Sequence, residues 1–303
     1  MSEPVGDAAR LPLRLTPFRL ILAGTWLAGT IAVVAIARAD PLAMLLIGLG
    51  FAAAFLSGLV GVGGAVVLIP MLLYVPPLAG LATIGIKTIT GTTIAQVTAA
   101  SISAATGHRA GGHVDRRLVT ILGPTMIAAS FVGAYASAFF DPIVLEAVFA
   151  GLAVFAAAMM LGLRNRAPAH VDGPPAFDTR LALAIGVVVG TLAGFIGAGG
   201  AFFLAPVLLH VLRIPMRYVI GSTVGIVAIS SGAGLLGKAL TDQVDWLLAA
   251  ALVVGALPGA RVGAVVSRRT SPHRLGLVLG LVILAVAIRM WLDIAGQVGV
   301  VRA

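Results

Sequence analysis

The chain has 303 residues, of which 60% are hydrophobic and only 10% are charged. Globular domains carry roughly a quarter charged residues, so this composition excludes a soluble enzyme, a disordered chain and a collagen-like chain. The formal net charge of +9 matches the Lys/Arg excess of cytoplasmic loops in membrane proteins, so we expect a lipid bilayer and no nucleic acid as partner. The absence of cysteine excludes disulfides and thiolate metal sites.

The apolar runs, taken in chain order, predict an all-α polytopic membrane protein. Residues 18–37 form the first run, which predicts an uncleaved anchor helix with a cytoplasmic N-terminus. A cleaved signal peptide is the alternative, although a run of about 20 residues exceeds the usual 7–15. Further spans are predicted at about 78–105, 118–140, 143–163, 218–240, 246–266 and 275–292.

Two apolar runs are interrupted by glycines. As one helix, residues 41–74 would be about 50 Å long, too long for one ~30 Å crossing and too short for two. The middle of this run, 58–64, reads GLVGVGG, and each glycine costs a helix about 1 kcal/mol relative to alanine. Residues 181–212 repeat the interruption with GFIGAGG at 194–200. Each run is therefore predicted to form two half-length helices joined by a break within the membrane.

The two breaks belong to an internal repeat. A shift of 136 residues gives ten identities in the 18 positions from 58 to 75, including four glycines and a proline. After a six-residue deletion, Asp115 aligns with Asp245 and Gly133 with Gly263. The repeat predicts five segments: an N-terminal tail with the anchor helix (1–40), repeat 1 (41–163), a cytoplasmic linker (164–180), repeat 2 (181–293) and a C-terminal tail (294–303).

The charges of the loops predict the orientation. If each broken run is a re-entrant hairpin that returns to its own side, the basic loops at 106–117, 164–180, 213–217 and 268–274 all lie in the cytoplasm. If each run crossed once, the basic loop 106–117 would lie outside. Each repeat is then a re-entrant helical hairpin plus three transmembrane helices, and this odd number gives the two repeats inverted topology. Inverted repeats with broken helices near the midplane are typical of secondary transporters.

At its two glycine motifs, 58–70 and 194–206, the sequence resembles the sulfite exporter TauE/SafE family (TSUP), over about residues 42–292. The resemblance implies a permease of the bacterial cytoplasmic (inner) membrane with two homologous halves. It also implies a small sulfur-containing anion as substrate: sulfite, thiosulfate, sulfoacetate or a related organosulfonate. One departure is the segment Gly85-Ile86-Lys87-Thr88, where the family pattern is a Gly-Thr-Ser-like polar run.

Backbone N–H groups at the hairpin turns are the first candidates for binding an anion. The second helix of each hairpin begins with free N–H groups and a partial positive charge, and glycine lets a ligand approach the backbone. Close helix packing is the alternative, and it fits Gly186, Gly190 and Gly194, which are spaced by four. The candidate positions are Gly61, Gly63, Gly64, Ala65, Gly197, Gly199, Gly200 and Ala201.

Polar side chains within the spans are further candidates. Lys87 is expected about a third of the way into its span, where a charge suggests a role with substrate or counter-ion, with snorkelling to the interface as the alternative. Arg261 can bind a sulfonate through two hydrogen bonds, and snorkelling competes there as well. The other candidates, whose alternative is a hydrogen bond back to their own helix, are Thr88, Thr92, Gln96, Ser222, Thr223, Ser230 and Ser231.

The sequence predicts a transporter rather than an enzyme. It contains no catalytic set, no metal ligand set and no cofactor motif, and the glycine motif lacks the Gly-Lys-Ser/Thr ending of a phosphate loop. Lys238 and Arg289 lie nearer span ends and are expected to be interfacial anchors. Alternating access by a secondary transporter is the leading prediction. An anion channel, a transporter of small carboxylates and a non-transporting scaffold are the alternatives, and the coupling ion and a homodimer stay open.

Overall fold

The computed structural model describes residues 35, 40–60, 64–108, 115–162, 177–214, 216–267 and 272–301, which form α-helices and one 3-10 turn, Ser137–Phe139, without a strand. The helices of the first half are α1 (Pro41–Val60), α2 (Ala65–Leu78), α3 (Ile86–His108), α4 (Arg116–Ala136) and α5 (Pro142–Gly162). Those of the second half are α6 (Thr179–Phe195), α7 (Ala201–His210), α8 (Met216–Ala239), α9 (Trp246–Ser267) and α10 (Pro272–Val301). The predicted anchor run 18–37, apart from residue 35, lies outside the described residues.

Five described helices are long and apolar enough to cross a bilayer: α4, α5, α8, α9 and α10. The chain is therefore a multi-pass membrane protein. α2 has 14 residues and α7 has 10, so they are about 21 Å and 15 Å long and neither crosses a ~30 Å hydrocarbon core alone. These are the half-length helices that the glycine interruptions predict. The second break lies within the described residues, whereas residues 61–63 of the first lie outside them.

At both breaks the chain turns back against the helix that precedes it. Gly64, before α2, packs on α1: a Cβ there would lie 3.0 Å from the carbonyl oxygen of Ala53. Gly200, before α7, packs on α6: a Cβ there would lie 3.7 Å from Cγ1 of Val189. Gly64 and Ala53 are each 136 residues before Gly200 and Val189, so the sequence repeat is also a repeat of this turn.

Helices of one half pack mainly against helices of the other. α1 packs against α9, and its repeat equivalent α6 packs against α4, the equivalent of α9. These crossings are so close that a Cβ added at Gly263 would overlap the carbonyl of Phe55. A Cβ added at Gly133 would overlap the carbonyl of Thr191 in the same way. Both pairs follow the repeat alignment. α3 also packs against α8, and α5 against α10, which joins the halves again through equivalent helices.

The small-residue stripe of α6 is a packing surface. Its glycines are buried against α4, where Gly190 approaches Met126 and Gly194 approaches the carbonyl of Ser130. The opposite face of α6 exposes apolar side chains such as Val187 and Val188. Apolar exposure of this kind suits contact with lipid, so α6 presents one face to α4 and the other to the bilayer.

Local signals explain where several helices begin and end. Asp115 caps α4 by accepting from the N–H of Leu118 at 2.9 Å, and Asp245 caps α9 by accepting from Leu248 at 3.1 Å. α2 ends in a Schellman turn in which Gly80 has a φ of 72°. The turn delays the start of α3 to Ile86, later than the predicted span start near 78.

Candidate functional site

The second glycine break is wedged against α3. Gly197, Gly199 and Gly200 have φ values of 67°, 65° and 77°, in the left-handed region that glycine adopts most easily. A Cβ at Gly197 would collide with the carbonyl of Thr90, and one at Gly199 with the side chain of Val97. The glycines are therefore required both by their backbone conformation and by the close approach of α3.

The break leads into a helix start with unused hydrogen-bond donors. The N–H groups of Phe203 and Leu204 close the first turn of α7 by donating to the Gly200 carbonyl, at 3.3 Å and 2.8 Å. Within the described part of the chain, no protein group accepts from the N–H of Gly199, Gly200 or Phe202. Free donors at the positive end of a helix dipole attract an anion.

α3 and α8 carry most of the buried polar side chains among the described residues. These are Thr90, Thr92, Thr93, Gln96 and Thr98 on α3, and Ser222, Thr223, Ser230, Ser231 and Lys238 on α8. Thr92 and Thr223 donate to carbonyls four residues earlier, at 2.8 Å and 2.6 Å, which is the alternative that the sequence left open. Gln96 Oε1 and Thr93 Oγ1 are buried and have no partner in the described residues. They leave hydrogen-bonding capacity on α3 beside the break.

Two candidates make contacts between elements. The Oγ atom of Ser222 accepts from the backbone N–H of Asp115 at 3.1 Å, which ties α8 to the start of α4. Lys87 is the second residue of α3, so its predicted place a third of the way into a span is wrong. Its Nζ atom donates to the carbonyl of Ala138 at 2.7 Å, in the 3-10 turn after α4.

Lys238 is the residue of the candidate site that sequence reasoning missed. It is 0% exposed, so the prediction of an interfacial anchor is wrong. Its Nζ atom donates to four neutral oxygens, those of Thr90 Oγ1 (2.9 Å), Ser137 Oγ (2.7 Å), the Phe195 carbonyl (3.1 Å) and Gln243 Oε1 (2.9 Å). One sequence signal could have found it. The loop charges assign the end of α8 that carries Lys238 to the outer side of the membrane, where the loops carry acidic residues. A lysine at that end departs from the usual enrichment of Lys and Arg on the cytoplasmic side.

Most of the remaining candidates do not join this group, but Ala201, the first residue of α7, adjoins the second break. Gly64 and Ala65 are buried at the first break, whereas Gly61 and Gly63 lie outside the described residues. Arg261 is exposed on α9. Thr88 is half-buried on α3, and Ala201 begins α7. The structure thus gathers the second break, the polar face of α3 and Lys238 into one place.

A separate cleft of about 430 Å³ has the opposite charge. It is lined by Tyr74, Glu146 and Asp293, among others. Tyr74 donates to Asp293 Oδ2 at 2.9 Å, and Arg289 forms an ion pair with the same carboxylate at 3.3 Å. Carboxylates repel an anion, so this cleft is a poorer anion site than the second break.

Comparison with known protein families assigns the chain to one of them. The model of the family described as sulfite exporter TauE/SafE matches residues 46–290, a range that includes both glycine breaks. The chain belongs to the sulfite exporter TauE/SafE family. The resemblance of its two glycine motifs to this membrane transporter family is thereby confirmed.

Relatives of this TauE/SafE protein occur in bacteria and archaea. A "Probable membrane transporter protein" of Xylella fastidiosa (strain 9a5c) is 30% identical over 253 residues, which cover 80% of this chain and 92% of the relative. "Probable membrane transporter protein YunE" of Bacillus subtilis is 24% identical over 266 residues, 82% of this chain and 96% of the relative. "Probable membrane transporter protein MJ0441" of Methanocaldococcus jannaschii is 23% identical over 247 residues, 78% and 90% respectively. No solved structure matches the chain.

Proposed function

We propose that this TauE/SafE protein is a secondary transporter that moves a small sulfur-containing anion across the bacterial cytoplasmic membrane by alternating access. The substrate class is sulfite, thiosulfate, sulfoacetate or a related organosulfonate. The second glycine break carries the proposal. Three left-handed glycines are wedged against the polar helix α3 and lead into a helix start whose N–H groups have no acceptor among the described residues. Irregular backbone at membrane depth is tolerated where it is buried in protein or lines a cavity.

The distribution of charge favours an anion over a cation at this place. Among the described residues, Asp115 is the buried carboxylate, and its Oδ1 atom is occupied in capping α4. Lys238 lies among the buried polar side chains of α3 and α8, whereas the carboxylates of Glu146 and Asp293 line the separate cleft. An anion at the break therefore meets helix-end N–H groups, and an ammonium group binds the last carbonyl of the helix that leads into the break, whereas the acidic cleft lies elsewhere in the fold.

The packing of the halves supports inverted repeats as the basis of transport. The contacts of α1 with α9 and of α6 with α4 are the same contact with the halves exchanged. Two halves that meet through equivalent surfaces can rock about a shared site, as inverted-repeat transporters do. The orientation that follows from the basic loops places the N-terminus and the linker 164–180 in the cytoplasm.

Uptake into proteoliposomes tests the proposal. Purified protein is reconstituted, and uptake of labelled thiosulfate and sulfite is measured with acetate and succinate as carboxylate controls. Saturable uptake with counterflow of the sulfur anions supports a carrier. Ion currents without counterflow would instead favour a channel, and uptake of carboxylates alone would refute the sulfur assignment.

A matched pair of glycine variants locates the site. Gly199→Ala adds a Cβ at a left-handed position that faces Val97, whereas Gly225→Ala on α8 adds one where no atom lies within 4 Å. We expect Gly199→Ala to lose anion uptake and Gly225→Ala to keep it, with both proteins eluting as monodisperse species. Full uptake by Gly199→Ala would refute the assignment of the break as the binding site.

A further inference from the structure

We propose that Lys238 provides the positive charge that binds the transported anion, that Lys87 adds a second cation close by, and that the site therefore selects dianions over zwitterions. The inference rests on the proposed transport function and specifies its substrate class. It starts from a buried charge that the protein itself leaves without an opposite charge.

The ammonium of Lys238 is surrounded by neutral oxygens. Its four acceptors are two hydroxyls, one amide oxygen and one backbone carbonyl, all within 3.1 Å. An ammonium group has three N–H donors, so four acceptors compete for them. The ion pair found among the described residues joins Arg289 to Asp293 on α10 and does not involve Lys238. A buried cation with only neutral partners is costly, and within a membrane such a group by default has a functional role.

The position of Lys238 connects it to the second break. Phe195, whose carbonyl it binds, is the last residue of α6, two residues before the left-handed Gly197. Thr90, whose hydroxyl it binds, also provides the carbonyl that packs against Gly197. The ammonium therefore lies where α6 ends and the second break begins, on the side of the break that Gly197 occupies.

Lys87 places a second cation beside the 3-10 turn after α4, which Lys238 also contacts. Lys238 binds the Oγ atom of Ser137, and Lys87 binds the carbonyl of the next residue, Ala138. Like charges held by consecutive residues repel each other, and this repulsion is relieved most by a ligand with two negative charges. A zwitterion such as taurine would bring its own ammonium group into a cationic site. The arrangement therefore favours sulfoacetate or thiosulfate over a monoanionic sulfonate, and a monoanionic sulfonate over taurine.

The partners of Lys238 also belong to both halves of the protein. Thr90 and Ser137 are in the first half, whereas Phe195 and Gln243 are in the second. A ligand bound to this ammonium would sit between the halves, which is where a site must lie if each half in turn opens it to one side.

Competition for uptake measures the charge preference. Uptake of labelled thiosulfate into proteoliposomes is inhibited with unlabelled sulfoacetate, methanesulfonate and taurine. We expect sulfoacetate to inhibit most strongly and taurine least. Equal inhibition by methanesulfonate and sulfoacetate, or inhibition by taurine as strong as that by methanesulfonate, would overturn the charge preference.

Substitutions of Lys238 and of its neutral partner Gln243 test whether Lys238 binds the anion. Lys238→Gln should raise KM about 30-fold or more, the loss seen when one member of a buried charge pair is removed, and Lys238→Arg should recover part of it. Gln243→Glu places a carboxylate 2.9 Å from the ammonium, at the position of Oε1, and should compete with the substrate. Arg289→Gln, which removes an exposed cation already paired with Asp293, is the control and should leave KM unchanged.

The outcomes separate the inference from the proposed function. If the wild-type protein moves no sulfur anion, the transport function itself fails. If it does, and Gln243→Glu raises the melting temperature while KM stays the same, Lys238 is only a structural clasp and the inference is wrong. Gln243→Glu therefore decides the question even if Lys238→Gln does not fold.

Discussion

Replacing Gly197 with alanine tests whether the second break has the backbone conformation described. Its φ of 67° costs an alanine about 1–2 kcal/mol, because Cβ approaches the following carbonyl. The added Cβ also meets the carbonyl of Thr90 on a different helix, and overpacking of this kind costs about 1–3 kcal/mol. The two terms together predict a loss of about 2–5 kcal/mol of stability.

Two further glycines separate the backbone term from the contact term. Gly80 has a φ of 72° and open space around its Cβ position, so Gly80→Ala should lose only about 1–2 kcal/mol. Gly225 is inside α8 with nothing within 4 Å, so Gly225→Ala should be neutral or gain up to about 1 kcal/mol of helix propensity. From the most to the least stable, the expected order is Gly225→Ala, wild type, Gly80→Ala and Gly197→Ala.

Thermal unfolding of the detergent-purified proteins, followed by the fluorescence of the three tryptophans, measures this order. We expect the Tm of Gly197→Ala to fall by about 3–8 °C below that of the wild type. If Gly197→Ala melts together with Gly225→Ala, the break does not pack against Thr90 and the site built on it is wrong.

Three more predictions concern other parts of the fold. Tyr74→Phe removes the hydrogen bond to Asp293 and should lower the free energy of unfolding by about 1 kcal/mol. Thiosulfate uptake should be unchanged, because the acidic cleft is separate from the proposed anion site, and a loss of uptake in a stable protein would contradict that. Asp245→Ala removes the N-cap of α9 and should lower the stability by about 1 kcal/mol, whereas Asp245→Asn still caps the helix and should keep most of that stability. If both variants are as stable as the wild type, Asp245 does not act as a cap. The chain has no native cysteine, so a maleimide labels only an introduced one. Asp141→Cys should react with an impermeant maleimide added to intact cells, whereas Arg180→Cys should react only after the cells are permeabilised. The reverse pattern would refute the orientation.

The broken helices could be predicted because the cause is local. Glycines that interrupt an apolar run cost helix stability wherever the run is placed, and their recurrence 136 residues later points to a shared structural role. The start of α3 could not be predicted in the same way. Residues 81–85 are largely apolar and read as part of a span, but the Schellman turn at Gly80 ends α2 and leaves them outside both helices.

The backbone part of the candidate site could be predicted, and its cation could not. Lys238 lies in the last turn of a helix, where a lysine usually reaches the interface. Its burial is imposed by residues 148, 101 and 43 positions away in the chain, namely Thr90, Ser137 and Phe195. Periodicity and loop charges carry no information about such contacts, so only the packing of α3, α6 and the 3-10 turn around α8 assigns the residue to the site.

If Lys238 and Lys87 bind the transported anion as proposed, their contacts explain how the anion drives the transport step. A ligand shifts a conformational equilibrium only as far as its affinity differs between the states. If the halves move apart, Lys238 leaves Thr90 and Ser137 in the first half, while Lys87 stays with Ala138 on the same side. The two ammonium groups are then close only when the halves are together, so a dianion that binds both stabilises the closed arrangement, and a monoanion that binds one does not.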